Sequence, residues 1–124
     1  MSTKRILIVD DEESIQTVVQ FGVQMVVDWE VLIASSGHQG IKTARDQKPD
    51  VILLDVMMPD MDGIATFKAL QTDPKTAQIP VIFLTAKAQT SERRQFNDLG
   101  VSGVITKPFN SLDLPDLITK ILDW

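Results

Sequence analysis

The chain has 124 residues, of which 44% are hydrophobic and 23% charged, values typical of a folded protein with its own core. It contains no cysteine, which excludes disulfides, thiolate metal sites and a cysteine nucleophile. Its net charge of -5 argues against general nucleic-acid binding, which needs a basic face. The first apolar segment is too short for a signal peptide or a membrane span, so we expect one cytoplasmic domain over residues 1–124.

Five short apolar runs are typical of strands that are buried on both faces of a parallel sheet. The third run is preceded by Pro49 and Asp50 and ends in an acid, Asp55. In chain order, the predicted strands are Ile6–Val9, Trp29–Ala34, Val51–Leu54, Val81–Leu84 and Val104–Ile105.

Helical spacing of apolar residues follows each predicted strand. Ser36 and Asp62 are the residue types that cap helix N-termini, and Pro115 falls in the first turn or so of the last helix, where a missing N–H is tolerated. We expect the first helix to have a wide buried face that includes Val18 and Met25. The predicted helices are Ser14–Val27, Ser36 to about Gln47, Asp62 to just before Asp73, about Thr90–Leu99, and Ser111–Leu122.

The βα unit therefore repeats five times. This pattern predicts an α/β fold, a three-layer sandwich with a parallel five-stranded sheet between helices. Right-handed crossovers leave few ways to wind such a chain, and the flavodoxin-like strand order 2-1-3-4-5 suits its length.

Polar residues follow four of the predicted strands, and the carboxyl ends of parallel strands converge. Asp10 and Asp11 follow the first strand, Asp55 the third, Thr85 the fourth and Lys107 the fifth. Three carboxylates at one edge repel each other unless a cation lies between them, and Mg²⁺ prefers such oxygen ligands. A cation, a lysine and a hydroxyl around one carboxylate suit a phosphoryl group, and the carboxylate itself can be the nucleophile.

The residues lie in four stretches, Ile8–Glu12, Asp55–Gly63, Leu84–Ala86 and Lys107–Phe109, which occur in this order over nearly the whole chain. Because of these four stretches, the sequence resembles a receiver domain of the response-regulator family of two-component signalling. Within that family it resembles the stand-alone, chemotaxis-regulator-like kind. The resemblance implies that Asp55 accepts a phosphoryl group from a sensor histidine kinase or a phosphotransfer protein.

The resemblance also implies a role for each remaining site residue. Asp11, Asp55 and the backbone carbonyl of Met57 would ligate Mg²⁺ (or Mn²⁺), with Asp10 holding the metal through water. Thr85 would bond the phosphoryl group when the domain is switched on. Lys107 would contact Asp55 or its phosphate, and the Lys107–Pro108 peptide bond would be cis.

The expected output is protein contact through the last two helices and the fifth strand. We expect a downstream protein partner, no membrane or nucleic-acid ligand, and either a monomer or a phosphorylation-dependent dimer. The domain would catalyse only its own phosphorylation and dephosphorylation, so it would not be an enzyme with an external product.

The sequence departs from the receiver pattern at Val104, three residues before Lys107, where many receivers carry Tyr or Phe. A valine has no ring to swing inward, so we expect the switch to run mainly through the loops after Thr85 and Asp55. Met57 and Lys87 are expected to face the phosphoryl group. Because Met57 cannot orient a water and Lys87 could screen the phosphate or block the approach of water, we predict a phosphate lifetime of minutes or longer.

Other functions remain as alternatives. A pseudo-receiver would bind partners without phosphorylation, and the departure from the receiver pattern at Val104 is compatible with this alternative. A phosphatase of the haloacid dehalogenase type needs a second Asp where this chain has Met57. A flavodoxin-like electron carrier is disfavoured because the acids at 10–13 would repel the FMN phosphate. We assign no chemistry to His38, and Trp124 could pack on the last helix or meet a partner.

Overall fold

Five parallel strands form one sheet in the computed structural model, which describes residues 3–86 and 90–124. The strand order, β2-β1-β3-β4-β5, confirms the predicted flavodoxin-like arrangement. The sequence placed each end of each strand to within one residue. The strands are β1 (Arg5–Val9), β2 (Glu30–Ala34), β3 (Val51–Asp55), β4 (Val81–Thr85) and β5 (Gly103–Thr106).

Five α-helices alternate with the strands, as predicted. Among the residues that the structure describes, no helix is long and apolar enough to cross a membrane. The helices are α1 (Glu13–Val26), α2 (Gly37–Gln47), α3 (Gly63–Thr72), α4 (Thr90–Leu99) and α5 (Leu114–Leu122).

The segment predicted as one last helix is divided in two. A 3₁₀ turn at Ser111–Asp113 precedes α5, and Asn110 caps it by accepting a hydrogen bond from the Leu112 N–H at 3.0 Å. Pro115 has no N–H to donate to the Ser111 carbonyl, and the Leu114 N–H bonds that carbonyl instead. The proline therefore explains why the first turn is tighter than an α-helix.

Side chains capping two helices confirm the predicted starts. The Ser36 hydroxyl accepts a hydrogen bond from the Gln39 N–H at 3.1 Å, and the Asp62 carboxylate accepts one from the Ala65 N–H at 2.8 Å. Each cap satisfies a backbone donor that the first turn of a helix leaves unpaired.

The sheet divides the interior into two cores because successive strand residues point to opposite faces. Leu7, for example, points towards α2, α3 and α4, whereas Ile8 points towards α1 and α5. The first core includes Leu7, Val9, Ile52, Leu54, Phe67, Phe83 and Phe96. The second core includes Ile6, Ile8, Val19, Val23, Leu53, Leu84, Leu114 and Ile118.

The buried face of α1 is narrower than we predicted. Val18 is 46% exposed and Met25 77% exposed, and Val26 is also exposed. Helix α1 approaches the rest of the fold through Gly22, where an added Cβ would collide with the Ser111 side chain. This close approach uses one side of the helix and leaves the neighbouring apolar residues outside the core.

Trp124 packs against Trp29, with ring centroids 5.6 Å apart in an edge-to-face arrangement. The Lys4 ammonium group lies 4.5 Å from the centroid of the Trp124 ring. The last residue therefore covers the segment that enters β2, a contact that the sequence left undecided.

Candidate functional site

The predicted site residues meet at the carboxyl edge of the sheet. Asp10 directly follows β1, whereas Asp55 and Thr85 are the last residues of β3 and β4. Lys107 directly follows β5. Strands β1 and β3 are neighbours, and the chain winds away from them in opposite directions. This is the topological switch point, where open α/β sheets bind ligands.

The three acids form one cluster. A carboxylate oxygen from each of Asp10, Asp11 and Asp55 lies within 4.8 Å of the other two. Asp10 is 0% exposed and Asp55 is 3% exposed, whereas Asp11 is open to solvent. Two carboxylates of the cluster are therefore buried, and the third carboxylate is accessible to solvent.

Lys107 bridges the two buried acids. Its ammonium nitrogen Nζ lies 3.0 Å from Asp10 Oδ2 and 3.2 Å from Asp55 Oδ1. We predicted the contact with Asp55, but the contact with Asp10 was not anticipated. One ammonium group thus compensates two carboxylates that would otherwise repel each other.

The pKa of Asp55 is raised above its ordinary value. Burial of the carboxylate is the main cause, and the charge of Asp10 adds to it. Lys107 and a hydrogen bond from the Met57 N–H act in the opposite direction but do not cancel these effects. The attraction of Lys107 therefore only partly offsets the effects of burial and of Asp10 on the pKa of Asp55.

The pKa of Lys107 is also raised. Burial on its own would lower it, but the hydrogen bond and charge of Asp10, together with those of Asp55, outweigh burial. The lysine is therefore held in its charged form at neutral pH.

The loop from Asp55 to Gly63 holds the Asp55 carboxylate in place. The Met57 N–H donates to Asp55 Oδ1 at 3.3 Å, and the Gly63 N–H donates to the Val56 carbonyl at 2.9 Å. Gly63 must lack a side chain because a Cβ would collide with the Asp55 carbonyl oxygen. The Met57 side chain is 64% exposed, and the metal-ligand role of its carbonyl stays a prediction.

Thr85 and Lys107 are joined through the backbone. The Lys107 N–H donates to the Thr85 carbonyl at 2.8 Å, so β5 carries the lysine to the strand end beside Thr85. Thr85 is 1% exposed. The Lys107–Pro108 peptide bond is cis, as predicted.

Val104 lies on β5 opposite Phe83 of β4 and is half-buried. A surface cavity of about 340 Å³ lies beside it, and its lining residues come from α4, β5, the loop at 108–110 and α5. No aromatic ring at position 104 fills this space. The predicted role of Lys87 cannot be compared with geometry because Lys87 lies outside the described residues.

One residue in contact with the site was not singled out in the sequence. Gln16 is 7% exposed, and its side-chain amide donates to the Asp10 carbonyl at 2.6 Å. In the sequence it reads as one of several glutamines of an amphipathic helix, so no pattern marked it. His38 is exposed on α2, and we give it no role.

The donor set fits a hard divalent cation. The ligand atoms on offer are carboxylate oxygens, which Mg²⁺ and Mn²⁺ prefer to nitrogen or sulfur. Three clustered carboxylates face one ammonium group, and the charge of Asp10 adds to the effect of burial in raising the pKa of Asp55. A cation held by these carboxylates would neutralise part of their negative charge.

Fold and site together define a doubly wound α/β protein with an acidic, lysine-bearing pocket at its switch point. The chain matches the response regulator receiver domain family over residues 6–119 and belongs to that family. This membership confirms the resemblance seen in the sequence.

The curated relatives include transcriptional regulators. The chain is 38% identical over 119 residues to the alkaline phosphatase synthesis transcriptional regulatory protein of Bacillus subtilis, covering 96% of this chain and 48% of the relative. It is 38% identical over 122 residues to the phosphate regulon transcriptional regulatory protein of Pseudomonas aeruginosa, covering 98% of this chain and 53% of the relative. The chain thus spans about half the length of the curated relatives it matches.

Solved structures resemble the fold along the whole chain. A chemotaxis response regulator of Vibrio cholerae has a TM-score of 0.88 and 28% identity, with 97% of this chain and 99% of that chain covered. The receiver domain of a sensor histidine kinase from Pseudomonas aeruginosa has a TM-score of 0.85 and 25% identity, with 99% and 100% covered. That structure has a magnesium ion coordinated in its active-site cleft.

Family membership sets the class of function. Receiver domains are signalling modules of two-component systems rather than metabolic enzymes, and they interact with histidine kinases and phosphotransfer proteins. The family binds Mg²⁺ at an acidic pocket, and this chain has an acidic cluster formed by Asp10, Asp11 and Asp55.

Proposed function

We propose that residues 1–124 act as a phosphorylatable receiver domain in which Asp55 is the phosphoacceptor. In the proposed reaction a carboxylate oxygen of Asp55 attacks the phosphorus of a phosphohistidine on a kinase or phosphotransfer protein. An oxygen–phosphorus bond forms, the nitrogen–phosphorus bond breaks, and the donor histidine regains its lone pair. The observation that carries this proposal is the half-buried Lys107 ammonium group, which contacts the buried carboxylates of Asp10 and Asp55.

Lys107 is suited to stabilise the reacting group electrostatically. Phosphoryl transfer needs little covalent assistance, and fixed positive charge beside the equatorial oxygens supplies much of the catalysis. The ammonium group is 3.2 Å from Asp55 Oδ1, and its raised pKa keeps it charged. We assign it to the oxygens of the phosphoryl group once that group is on Asp55.

Asp10, Asp11, Asp55 and the Met57 carbonyl are assigned to the metal. The clustered carboxylates and the resemblance to a magnesium-containing receiver domain support Mg²⁺, with Mn²⁺ as a substitute. When bound, the cation would neutralise negative charge on the acids and on the incoming phosphoryl oxygens. Asp10, which is fully buried and paired with Lys107, is assigned the indirect role through water that the resemblance implies.

Thr85 is assigned to the conformational response to phosphorylation. Its hydroxyl would donate to a phosphoryl oxygen, and the switch would run mainly through the loops after Thr85 and Asp55. The hydrogen bond from the Lys107 N–H to the Thr85 carbonyl connects the first of these loops to the end of β5. The output surface is the face formed by α4, β5 and α5, where the cavity beside Val104 lies. Signalling would then proceed by contact with a protein partner, either from a monomer or from a phosphorylation-dependent dimer. The only reactions catalysed would be the domain's own phosphorylation and dephosphorylation.

The proposal is tested by incubating the protein with Mg²⁺ and acetyl phosphate and measuring its intact mass. We expect the mass of one added phosphoryl group in the wild type, and none in Asp55→Asn or after chelation of the metal. Asp98→Asn, an exposed position on α4, is the matched control and should be phosphorylated normally. An unphosphorylated wild type that still binds its partners would favour the alternative of a pseudo-receiver interaction module.

A further inference from the structure

Gln16 holds the main chain of the acidic cluster. Its side-chain amide nitrogen Nε2 donates to the Asp10 carbonyl oxygen at 2.6 Å and to the Ser35 hydroxyl at 3.1 Å. The side chain is buried near the start of α1, where an amide without partners would be costly. It therefore connects α1 to the end of β1 and to the residue that follows β2.

Every polar group of Asp10 has a partner. Its N–H donates to the Ala34 carbonyl at 3.1 Å, and its Oδ1 accepts from the Glu12 N–H at 2.9 Å. Its Oδ2 accepts from Lys107 Nζ at 3.0 Å. The carbonyl bond to Gln16 completes this set.

The Asp10 carbonyl belongs to the same planar peptide unit as the Asp11 N–H. A hydrogen bond that fixes the carbonyl therefore also fixes the direction in which the chain enters Asp11. Asp11 is exposed, so packing does little to orient it. Gln16 thus helps to orient Asp11, which is the one acid of the cluster that is not buried in the core.

The amide is itself anchored on its far side. Ser35, which accepts from Gln16, donates its N–H to the Gln39 side-chain oxygen at 2.6 Å. Two glutamine side chains and one serine thereby connect the first turn of α2 to the Asp10 carbonyl. This anchoring limits the freedom of the Gln16 amide, as expected of a group that positions a metal ligand.

We propose that Gln16 is a positioning residue of the cation site: it orients the Asp10–Asp11 peptide and thereby sets the affinity for Mg²⁺. This inference rests on the proposed function, because it assumes that the acidic cluster binds Mg²⁺. A residue that merely satisfies a buried carbonyl would affect the free energy of unfolding but not the affinity of the folded protein for the metal.

The test is a calorimetric titration of the metal-free protein with Mg²⁺. Gln16→Met preserves most of the side-chain volume but removes both donated hydrogen bonds, and we expect its Mg²⁺ Kd to be about tenfold weaker. Gln24→Met makes the same change at an exposed position of α1 and should bind like the wild type. If Gln16→Met does not fold, Gln16→Asn keeps an amide that is one methylene too short and should show the same direction of change.

Circular dichroism and urea unfolding without metal establish that each variant is folded before titration. An unchanged Mg²⁺ Kd in a folded Gln16 variant would overturn the positioning role while leaving Asp55 as the phosphoacceptor. A wild type that binds no Mg²⁺ would instead overturn both this inference and the proposed function. A weaker Kd in Gln16→Met together with an unchanged Kd in Gln24→Met would support the inference.

Discussion

The Lys107 ammonium group lies 3.0 Å from the carboxylate of Asp10, although the two residues are 97 positions apart in the chain. Asp10 is fully buried, and the same ammonium group also contacts Asp55. Lys107 is therefore a structural counter-ion of the acidic pocket before any phosphoryl group is present. Removing the Lys107 ammonium group should therefore lower the stability of the protein as well as impair phosphorylation.

We expect Lys107→Met to destabilise the metal-free protein by about 3 kcal/mol. The substitution leaves two buried carboxylates without their cation, and breaking a buried ion pair from one side costs more than the pair contributes. The measurement is urea unfolding in the presence of a chelator. Added Mg²⁺ should recover part of the loss because the metal supplies positive charge to the same acids.

Lys120→Met is the control for this prediction. Lys120 is exposed on α5, so the same chemical change there should alter the free energy of unfolding by less than about 0.5 kcal/mol. Equal effects of the two substitutions would mean that Lys107 does not compensate buried charge.

The raised pKa of Asp55 predicts a pH dependence of stability. An acid with a higher pKa in the folded than in the unfolded state binds its proton more tightly when folded. The stability that this acid contributes is therefore full below the unfolded pKa, 3.8, and is lost as the pH rises through the folded pKa. Asp55→Asn removes the cost of ionisation, so without metal it should be more stable than the wild type at pH 7.

This difference should shrink as the pH falls towards the unfolded pKa, which urea unfolding at a series of pH values can follow. Saturating Mg²⁺ should reverse the order, since the wild type gains metal binding that the asparagine weakens. A variant that is less stable than the wild type at pH 7 without metal would contradict the assignment of burial as the dominant effect on Asp55.

Met57 gives a prediction about the lifetime of the phosphorylated state. Its side chain is exposed beside Asp55 and has no group that could hydrogen-bond an attacking water. We expect a half-life of minutes or longer in the wild type and a severalfold shorter one in Met57→Asn, whose amide can orient water. Loss of the phosphoryl mass with time measures this directly.

Met25→Asn, the same change on the exposed face of α1, should leave the half-life unaltered. A wild-type half-life of seconds that neither Met57 nor Lys87 substitutions lengthen would refute the prediction.

Much of the fold could be predicted because buried parallel strands read as unbroken apolar runs. Val81–Thr85 illustrates this: four apolar residues end in a hydroxyl at the edge of the sheet. The same logic placed Asp10 and Asp55 at neighbouring strand ends, so the location of the site followed from topology.

The sequence did not predict which side of a helix packs against the core or which groups the longer polar side chains contact. Val18 and Met25 lie on an apolar helix, and the side that is buried is the one on which Val19 and Val23 enter the core and Gly22 meets the Ser111 turn. Gln16 resembles any polar helix residue until the distance to the Asp10 carbonyl is known. The shared contact of Lys107 with Asp10 likewise depends on how a flexible side chain settles between two acids.

The most direct test of the central claim locates the phosphoryl group. The protein is phosphorylated with acetyl phosphate and Mg²⁺, reduced with borohydride, and mapped by peptide mass spectrometry. Reduction converts an aspartyl phosphate to homoserine, and we predict homoserine at position 55 only when both phosphodonor and metal are present. Homoserine at another aspartate, or phosphate on a hydroxyl residue with Asp55 unmodified, would contradict the account.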